Sequence, residues 1–500
     1  MEKGKPAKGK PIADSSGKSA QKDTLGITAK KAEDFGEWFS QVIQRADLID
    51  YSEVSGCYVY KPGSYAIWER VQAWLDAKFK ALGVRNAYFP LLIPESLLKK
   101  EEQHVKGFTP EVAWVTHSGE TKLAERLAVR PTSETVMYSH YAKWIKSHRD
   151  LPLLLNQWCN VVRWEFKNPV PFLRSREFLW QEGHTAHRTK EDATKEVLAI
   201  LDIYAQAYAE LYAVPVVRGY KTESEKFAGA LFTTTVEAFL PNGRAAQSAT
   251  SHCLGQNFAK AFEISFLDER EQKQYVWQNS WGFSTRSIGI AIMMHSDDRG
   301  LVLPPAVAPT KAVIVPILFD DSRIAVLEKA QELHQKLQQN GITTILDDRD
   351  GYTPGWKYNE WEMKGIPLRI EIGPKDVEKQ SVVLVRRDTG KKEFVPMDKL
   401  PETVNAMLAL MQNDLYERAL KFREDNTVRV NDRQALDSAI AAHKLVNADW
   451  CGSESCETSL KGRTEGAKIL CIPFEQPKKF GNCAECGKPG KHNVRIAKSY

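Results

Sequence analysis

Val161-Val-Arg-Trp-Glu-Phe-Lys167 and Glu177-Phe-Leu-Trp-Gln-Glu-Gly-His184 flank a Pro-containing loop at residues 168–176. The pattern predicts a strand, a loop and a second strand. Because side chains alternate between the two faces of a strand, Arg163 and Glu165 should share one face of the first strand. The same alternation puts a row of four side chains on one face of the second strand: Phe178, Trp180, Glu182 and His184.

The loop between these strands carries two arginines, Arg174 and Arg176. Arginine can hold phosphate oxygens with paired N–H groups. A neighbouring carboxylate such as Glu165 can accept a hydrogen bond from an adenine amino group. Taken alone, the segment fits a nucleoside triphosphate site and a surface hairpin with scattered ion pairs equally well.

Length and composition narrow the classes of protein. A chain of 500 residues is too long for one core and favours two to four domains. Its 42% hydrophobic and 27% charged residues are ordinary for a folded protein. No apolar run approaches the roughly 18–20 residues of a membrane helix, and we expect no secretory signal. The eight cysteines are thinly spread, which favours a reducing cytosol over a disulfide framework.

The charge of the chain is concentrated at its start. Residues 1–30 hold seven lysines and three acidic residues, a net charge of +4 out of +5 for the chain. We expect residues 1–28 to form a disordered basic tail, because Gly, Pro, Ala, Ser and Lys cannot build a core. The tail is either a solvated arm or an arm with weak affinity for phosphate. The nearly neutral remainder does not itself indicate a nucleic acid partner.

Composition divides the rest of the chain into three segments. Residues 29–303 mix strand and helix patterns, with Ser64 and Thr189 as expected helix caps. Residues 304–412 begin with a Pro-rich linker and then alternate strands and helices, which predicts a small α/β domain. Residues 413–500 carry five of the eight cysteines.

Several blocks along the chain resemble a known family. Pro90 in a strand-like run, Arg163-x-Glu165, and Arg286 before a helix of small residues resemble the three motifs of class II aminoacyl-tRNA synthetases. Further blocks resemble prolyl-tRNA synthetases of the archaeal and eukaryotic type. They are Arg130-Pro-Thr-Ser-Glu-Thr135, Lys226-Phe-Ala-Gly229 and Pro354-Gly-Trp-Lys-Tyr-Asn-Glu-Trp-Glu-Met-Lys-Gly365. The blocks Gln247-Ser-Ala-Thr-Ser-His-Cys253 and Asn279-Ser-Trp-Gly-Phe-Ser-Thr-Arg286 occur among them. The resemblance covers about residues 30–500.

The resemblance implies an α/β (α+β) protein in three folded parts. These are a class II catalytic domain with an antiparallel sheet (29–303), an α/β anticodon-binding domain (304–412) and a small α/β C-terminal domain of zinc-binding type (413–500). It also implies the reaction: L-proline and ATP form prolyl-adenylate with release of pyrophosphate, and proline then passes to the 3′ end of tRNA(Pro). Mg²⁺, a cytoplasmic location and a homodimer formed around Pro90 are implied as well.

The resemblance also implies roles for individual residues. Those expected to bind proline are Thr132, Glu134, Arg163, Trp180, His184 and His252. Those expected to bind ATP are Arg163, Glu165, Arg174, Gln247, Thr250, Ser284 and Arg286. Arg349 and Lys364 are expected at the anticodon, on or beside a helix that exposes its charged residues, Lys357 among them. Ser499 and Tyr500 resemble the family's terminal Ser-Tyr, which folds back towards the catalytic domain.

Two cysteine pairs predict a structural zinc site. Cys451-x4-Cys456 and Cys483-x2-Cys486 together supply the four ligands of a tetrahedral site. The alternative is four reduced thiols, and the second pair is one residue wider than the Cys-x-Cys of some relatives. The chain also has Ala230-Leu-Phe232 where close relatives have Gly-Asp-Tyr.

About 100 residues separate His184 from Ser284, which leaves no room for the editing insertion of bacterial-type relatives. We therefore expect no hydrolytic editing in cis. One alternative is a synthetase for threonine, serine or glycine, but the three cysteines before residue 303 do not match the zinc ligands of threonine enzymes. Another is an inactive paralogue, which would be expected to lose arginines such as Arg163, Arg174 and Arg286.

Overall fold

The computed structural model describes residues 26–104, 111–165 and 167–500. Of the predicted basic tail, residues 1–25 lie outside the described residues. No helix in the described part of the chain is long and apolar enough to cross a membrane.

The first part of the chain, up to residue 295, is rich in strands. Its helices are α1 (Phe35–Arg45), α2 (Pro62–Ala81), α3 (Glu95–His104), α4 (Glu134–Trp144), α5 (Lys190–Gln206), α6 (Asn257–Ala261) and α7 (Arg286–His295). Its strands are β1 (Ile49–Tyr51), β2 (Tyr58–Tyr60), β3 (Arg85–Asn86), β4 (Leu92–Pro94), β5 (Trp114–Ser118), β6 (Thr121–Val129), β7 (Leu153–Val162), β8 (Glu177–His187), β9 (Val216–Tyr220), β10 (Phe232–Phe239), β11 (Arg244–Gly255), β12 (Ser265–Leu267), β13 (Lys273–Tyr275) and β14 (Trp277–Ser284).

The second part, from residue 312 to 425, has five strands and four helices. The strands are β15 (Ala312–Pro316), β16 (Thr344–Leu346), β17 (Leu368–Ile372), β18 (Ser381–Arg386) and β19 (Lys392–Pro396). They form one sheet in the order β16-β15-β17-β18-β19. The helices are α8 (Arg323–Gln339), α9 (Pro354–Met363), α10 (Pro374–Glu378) and α11 (Leu400–Asp425). Residue 412, the expected domain boundary, lies inside α11.

The last part contributes β20 (Thr427–Val430), α12 (Arg433–Ala441), β21 (Leu445–Trp450), α13 (Glu454–Arg463), β22 (Ala467–Pro473) and β23 (His492–Ser499). Its strands extend the sheet of the first part. The combined sheet has eleven strands in the order β20-β21-β23-β22-β9-β10-β11-β14-β8-β7-β3. The last part is therefore joined to the first by backbone hydrogen bonds between β22 and β9.

Antiparallel pairing dominates the centre of this sheet, as expected. Strands β9, β10, β11, β14, β8 and β7 all pair in this way. Helices α2 and α5 bury their apolar faces against β14, where Phe79 and Trp281 rings lie 4.9 Å apart. No residue with a side chain fits at Gly183 on β8, because a Cβ atom there would lie 2.1 Å from the Trp281 ring.

The two expected helix caps have different outcomes. Thr189 caps α5 as predicted, since its hydroxyl accepts a hydrogen bond from Asp192 N at 3.1 Å. The prediction for Ser64 is wrong: α2 begins at Pro62, and the buried Ser64 hydroxyl donates to Leu48 O at 2.6 Å. A preformed proline φ starts this helix instead.

Candidate active site

A cavity of about 290 Å³ opens on the sheet where β8, β11 and β14 lie side by side. The start of α4 and the segment between β9 and β10 complete its wall. The predicted row on β8 is confirmed, because Phe178, Trp180, Glu182 and His184 all line the cavity. Strand β14 contributes five consecutive lining residues, from Ser280 to Ser284.

Most of the residues expected at a substrate site meet in this cavity. All six expected at proline line it: Thr132, Glu134, Arg163, Trp180, His184 and His252. Five of the seven expected at ATP line it: Arg163, Gln247, Thr250, Ser284 and Arg286. Glu165 and Arg174 are not among the lining residues. The register of β10 on β11 shifts between Val236 and Glu237, which pair with Ala249 and Gln247, so the extra residue Ser248 forms a β-bulge on β11. Gln247 and Ser248 both line the cavity.

The predicted first strand ends earlier than expected. Strand β7 stops at Val162, so Arg163 and Glu165 do not share a strand face. The reason is that the ladder to β8 breaks here. Arg163 N still donates in register to Arg176 O at 2.7 Å, but Arg176 N donates to Gly56 O at 2.8 Å and Trp164 N donates to Glu111 O at 3.2 Å. Glu165 is exposed in a turn, while Arg163 stays at the cavity wall.

Arg163 is held at the wall by its neighbours. Its Nε donates to Pro131 O at 3.1 Å. Its guanidinium carbon lies 5.3 Å from the centre of the Trp180 ring and 5.5 Å from that of Phe178. Contacts of this kind fix a cation over aromatic faces and limit its freedom before any ligand binds.

Arg286 begins α7 and is fixed by two backbone carbonyls. Its Nε donates to Leu173 O and its Nη1 to Gln247 O, each at 3.0 Å. Burial lowers the pKa of Arg286, and the positive charges of Arg163 and Arg174 lower it further. Three guanidinium groups therefore act on one region, which favours an anionic ligand such as a polyphosphate.

A buried carboxylate–histidine cluster forms another part of the cavity. The ligand atoms of Glu134, Glu182 and His184 lie within 4.8 Å of one another. The Glu182 carboxylate is held by neighbouring protein groups. It accepts hydrogen bonds from Ser133 N at 3.1 Å, from the Ser133 hydroxyl, and from Gln157 Nε2 at 3.0 Å. Glu134, at the first turn of α4, accepts from the Thr132 hydroxyl and faces the cavity.

The two histidines of the cavity have opposite electrostatic surroundings. Burial alone would lower the pKa of His184, but the negative charges of Glu134 and Glu182 outweigh it and raise that pKa. His252 has no such partner, and burial together with the charge of His184 lowers its pKa to about 3. Its Nδ1 lies 2.9 Å from Thr233 Oγ1, and the Phe227 ring packs 4.8 Å from its own.

Several lining residues had no role predicted from the sequence, among them Glu225, Phe227 and Thr233. Phe227 lies in the Lys226-Phe-Ala-Gly229 block, which was the available signal. Glu225 and Thr233 had none: Glu225 lies in the segment between β9 and β10, and Thr233 lies on β10, where it pairs with His252 of β11.

A second candidate site lies beside α9. Arg349 donates to both carboxylate oxygens of Asp347, at 2.8 and 2.7 Å. Glu360 accepts from Arg349 and from Lys364, the latter at 2.9 Å. The expectation that Lys357 is exposed is wrong: it is 3% exposed, because its ammonium turns inwards to Asp347 O at 2.9 Å.

The surface next to Arg349 carries two aromatic rings that the sequence analysis missed. Tyr352 and Trp356 stack with ring centres 4.1 Å apart. The guanidinium carbon of Arg349 lies 5.2 Å from the Tyr352 ring. Their i, i+4 spacing across the start of α9 was the signal that could have found them.

The four predicted zinc ligands converge in the last part of the chain. The sulfur atoms of Cys451, Cys456, Cys483 and Cys486 all lie within 4.8 Å of one another. Cys451 Sγ lies 3.6 Å from Cys456 Sγ and 3.7 Å from Cys486 Sγ. Zinc–sulfur bonds of about 2.3 Å in a tetrahedron put sulfur atoms about 3.8 Å apart. The cluster therefore fits a tetrahedral zinc ion.

Family comparisons agree with this architecture segment by segment. Residues 116–295 match the tRNA synthetase class II core domain (G, H, P, S and T). Residues 311–407 match an anticodon binding domain, and residues 434–500 match the C-terminal domain of prolyl-tRNA synthetase.

Whole-chain comparisons decide the family. The chain is 52% identical to a cytoplasmic proline–tRNA ligase of Arabidopsis thaliana, over 97% of this chain and 93% of that one. It is 51% identical to proline–tRNA ligase 2 of Clostridioides difficile (strain 630), over 96% and 99% of the two chains. The chain belongs to the prolyl-tRNA synthetase family.

The fold of a solved prolyl-tRNA synthetase is the same. The crystal structure from Cryptosporidium parvum, complexed with halofuginone and AMPPNP, superimposes with a TM-score of 0.93 at 47% identity. The match covers 95% of this chain and all of that one. The class II catalytic fold expected from the motifs around Arg163 and Arg286 is confirmed.

Proposed function

We propose that the cavity between β8, β11 and β14 joins L-proline to ATP and then transfers the prolyl group to the 3′ end of tRNA(Pro). The observation that carries this proposal is that Glu134, Arg163 and Arg286 line one cavity. A carboxylate suits the secondary ammonium of proline, and the two guanidinium groups suit its carboxylate and the phosphates.

Proline lies on the side of the cavity formed by the start of α4. Glu134 pairs with its ammonium, and Thr132 orients Glu134 through their hydrogen bond. Trp180, His184 and His252 enclose the pyrrolidine ring. His252 is suited to this position because a neutral imidazole does not repel the ammonium, in keeping with its pKa of about 3.

ATP enters as its Mg²⁺ complex and meets the arginines. Arg163 lies between the proline carboxylate and the α-phosphate, Arg174 and Arg286 hold the phosphate chain, and Glu165 meets the adenine amino group. The remaining positions assigned to the nucleotide are Gln247, Thr250 and Ser284. Glu165, exposed in its turn, would have to close over the base.

The first chemical step needs little proton transfer. A carboxylate oxygen of proline attacks the α-phosphorus, the bond from that phosphorus to the bridging oxygen breaks, and pyrophosphate leaves. The arginines align two anions and stabilise the charge that develops in the transition state. In the second step the 3′-hydroxyl of the terminal adenosine attacks the prolyl carbonyl, and AMP leaves.

The other sites support this reaction. Arg349 and Lys364 read the anticodon, next to the stacked Tyr352 and Trp356.

A structural Zn²⁺ would be held by the four cysteines, Cys451, Cys456, Cys483 and Cys486, and would keep the last part of the chain rigid. Removal of zinc with a chelator should lower the melting temperature and release about one zinc per chain, and a metal-free, equally stable protein would contradict this assignment.

The quaternary structure, location and domain division follow the same family pattern. A homodimer forms around Pro90, whose neighbours Tyr88 and Leu92 are 71% and 39% exposed. The enzyme works in the cytoplasm, as the name of the Arabidopsis relative suggests. The segments at 29–303, 304–412 and 413–500 act as catalytic, anticodon-binding and zinc-binding units.

The catalytic unit also lacks a hydrolytic editing site. Between His184 and Ser284 the chain is occupied by the end of β8, α5, β9–β11, α6 and β12–β14 with their connections. Size exclusion cannot strongly reject a substrate smaller than proline, such as alanine. Alanine should therefore be activated detectably, and the protein should not hydrolyse Ala-tRNA(Pro). Rapid deacylation of purified Ala-tRNA(Pro) would contradict this.

Proline-dependent ATP–pyrophosphate exchange tests the assignment of the cavity. Glu134→Gln should raise KM for proline far more than KM for ATP, since removing one partner of a buried charge pair costs about 2–5 kcal/mol. Lys421→Glu, which breaks an exposed ion pair on α11, is the control and should change neither constant. An equal loss for both substrates in Glu134→Gln would show that Glu134 does not contact proline.

A further inference from the structure

The segment between β9 and β10, residues 221–231, forms one wall of the proposed proline site. Glu225 and Phe227 line the cavity. Phe227 packs its ring on that of His252, and its backbone N donates to Thr233 Oγ1 at 2.9 Å. We call residues 221–231 the pocket loop.

The last part of the chain holds the pocket loop at three points. Lys221 Nζ donates to Leu470 O of β22 at 2.8 Å. Glu225 Oε2 forms an ion pair with Lys468 Nζ of β22 at 2.7 Å. The Ser224 hydroxyl donates to a carboxylate oxygen of Glu457 on α13 at 2.7 Å. In each contact the two residues lie more than 230 positions apart in the sequence.

The contact at Lys221 is the most buried of the three. Its ammonium also pairs with Glu237 of β10 at 2.7 Å, and the two side chains are 2% and 3% exposed. A buried charge without its partners is strongly unfavourable, so the Leu470 carbonyl is part of what keeps Lys221 in place. The backbones also meet closely here, since a Cβ on Gly219 would lie 2.3 Å from Ile472 O.

We propose that β22 and α13 set the position of the pocket loop, and that Lys221, Lys468 and Glu457 are positioning residues for proline binding. This inference rests on the proposed proline site. Lys468 and Glu457 do not line the cavity and act through Glu225 and Ser224. The last part of the chain thereby contributes to amino acid binding without contacting the amino acid.

The effect should be selective for proline over ATP. Arg286 is fixed by the carbonyls of Leu173 and Gln247, neither of which belongs to the pocket loop. Arg163 is fixed by Pro131 O. Displacing the loop would disturb the packing of Phe227 on His252 and leave these arginines in place.

A charge swap between Glu225 and Lys468 tests the proposal. The ion pair is about one-quarter exposed on each side, so its loss should be measurable and should not prevent folding. In pyrophosphate exchange, Lys468→Glu and Glu225→Lys should each raise KM for proline about fivefold, with KM for ATP within about twofold of wild type. The double variant should recover most of the loss, which would show that the ion pair itself supports proline binding. The selective change in KM for proline separates this positioning role from a purely structural one.

Hydrogen exchange of the pocket loop gives an independent measurement. Residues 222–230 should exchange faster in Lys468→Glu and Glu457→Gln, and proline should restore their protection. Lys421→Glu, an exposed charge reversal on α11, should change neither the exchange nor the KM values.

Two outcomes would overturn the proposal: single variants with an unchanged KM for proline, or a double variant no better than the worse single one. Glu134→Gln in the same assay separates this failure from a wrong site assignment. If Glu134→Gln raises KM for proline selectively and the loop variants do not, only the proposal for the pocket loop fails. If Glu134→Gln is not selective, the proline site itself is misplaced.

Discussion

His184 Nε2 donates a hydrogen bond to Glu182 Oε2 at 3.0 Å, and the two side chains are 1% and 3% exposed. On the other ring nitrogen, Tyr138 OH lies 3.1 Å from Nδ1. A protonated His184 can donate to both groups at once, whereas a neutral His184 needs Tyr138 to donate. The geometry therefore accommodates the charged form, in keeping with the raised pKa of His184.

This pair predicts how stability depends on pH. Because the pKa of His184 is raised above 6.5 in the folded protein, its contribution to stability is complete below pH 6.5. It is lost as the pH rises through the folded-state pKa. The difference in free energy of unfolding between wild type and His184→Gln should therefore shrink as the pH rises from 6 to 9. Urea unfolding at several pH values measures it.

His252→Gln provides a control of opposite sign. The folded-state pKa of His252 is about 3, so below pH 6.5 the unfolded chain takes up a proton that the folded protein does not. The difference between wild type and this variant should then shrink as the pH falls below 6.5. The same trend in both variants would contradict the opposite surroundings of the two histidines.

Arg163→Lys should nearly abolish adenylate formation and leave the protein folded. Lysine keeps the charge but loses the planar fork that can hold two oxygens, and it cannot stack in the same way on Trp180 and Phe178. We expect pyrophosphate exchange to fall about 100- to 1000-fold. Circular dichroism and melting temperature should match wild type. Exchange within a few-fold of wild type would show that Arg163 does not bridge the substrates.

The sequence predicted the parts of the site that depend on local periodicity. The row from Phe178 to His184 follows from alternation in β8 alone, and it lies in the cavity as expected. The four cysteines were found because ligand type and spacing carry the signal. The end of β7 at Val162 was not predictable in this way, because the carbonyls that take the N–H groups of Arg176 and Trp164 belong to the distant residues Gly56 and Glu111.

Other contacts between separate segments could not be predicted from the sequence for the same reason. Nothing near Lys357 indicates that its ammonium turns inwards to Asp347 O, since composition favours an exposed lysine on a charged helix. The pairing of β22 with β9 joins residues 472 and 220, and no periodicity links them. The small domain expected at 413–500 thus extends the catalytic sheet.

Removing a positive charge beside α9 should impair aminoacylation of tRNA(Pro) without impairing the formation of prolyl-adenylate. Arg349→Ser or Lys364→Ser should lower aminoacylation of tRNA(Pro) by about 1–3 kcal/mol in kcat/KM and leave pyrophosphate exchange unchanged. Trp356→Ala should do the same if an unstacked anticodon base packs on the Tyr352–Trp356 pair. Lys329→Ser on α8, which breaks a surface ion pair in the same domain, is the control. Parallel loss of both activities would indicate misfolding.

Ser499 and Tyr500 should matter for proline activation through strand β11. Residues 498 and 499 pair in parallel with Arg244 and Ala245, and Tyr500 N donates to Ala245 O at 3.0 Å. The Tyr500 hydroxyl accepts from Asn242 Nδ2 at 2.6 Å. Gln247, which lines the cavity, lies only two residues beyond Ala245 on the same strand.

Deleting Ser499 and Tyr500 should therefore lower proline-dependent pyrophosphate exchange, with little change in dimer formation or melting temperature. Loose chain ends are usually dispensable, but this one is hydrogen-bonded and its ring lies 5.6 Å from the Arg244 guanidinium carbon. Tyr500→Phe keeps the ring and loses the bond to Asn242, so it should show a smaller loss than the deletion. Asn242→Ala removes the donor of this hydrogen bond and also the acceptor of Arg244 N at 3.2 Å, so its loss should be at least as large as that of Tyr500→Phe. Unchanged kinetics in the deletion variant would show that the contacts of Ser499 and Tyr500 with β11 do not affect proline activation.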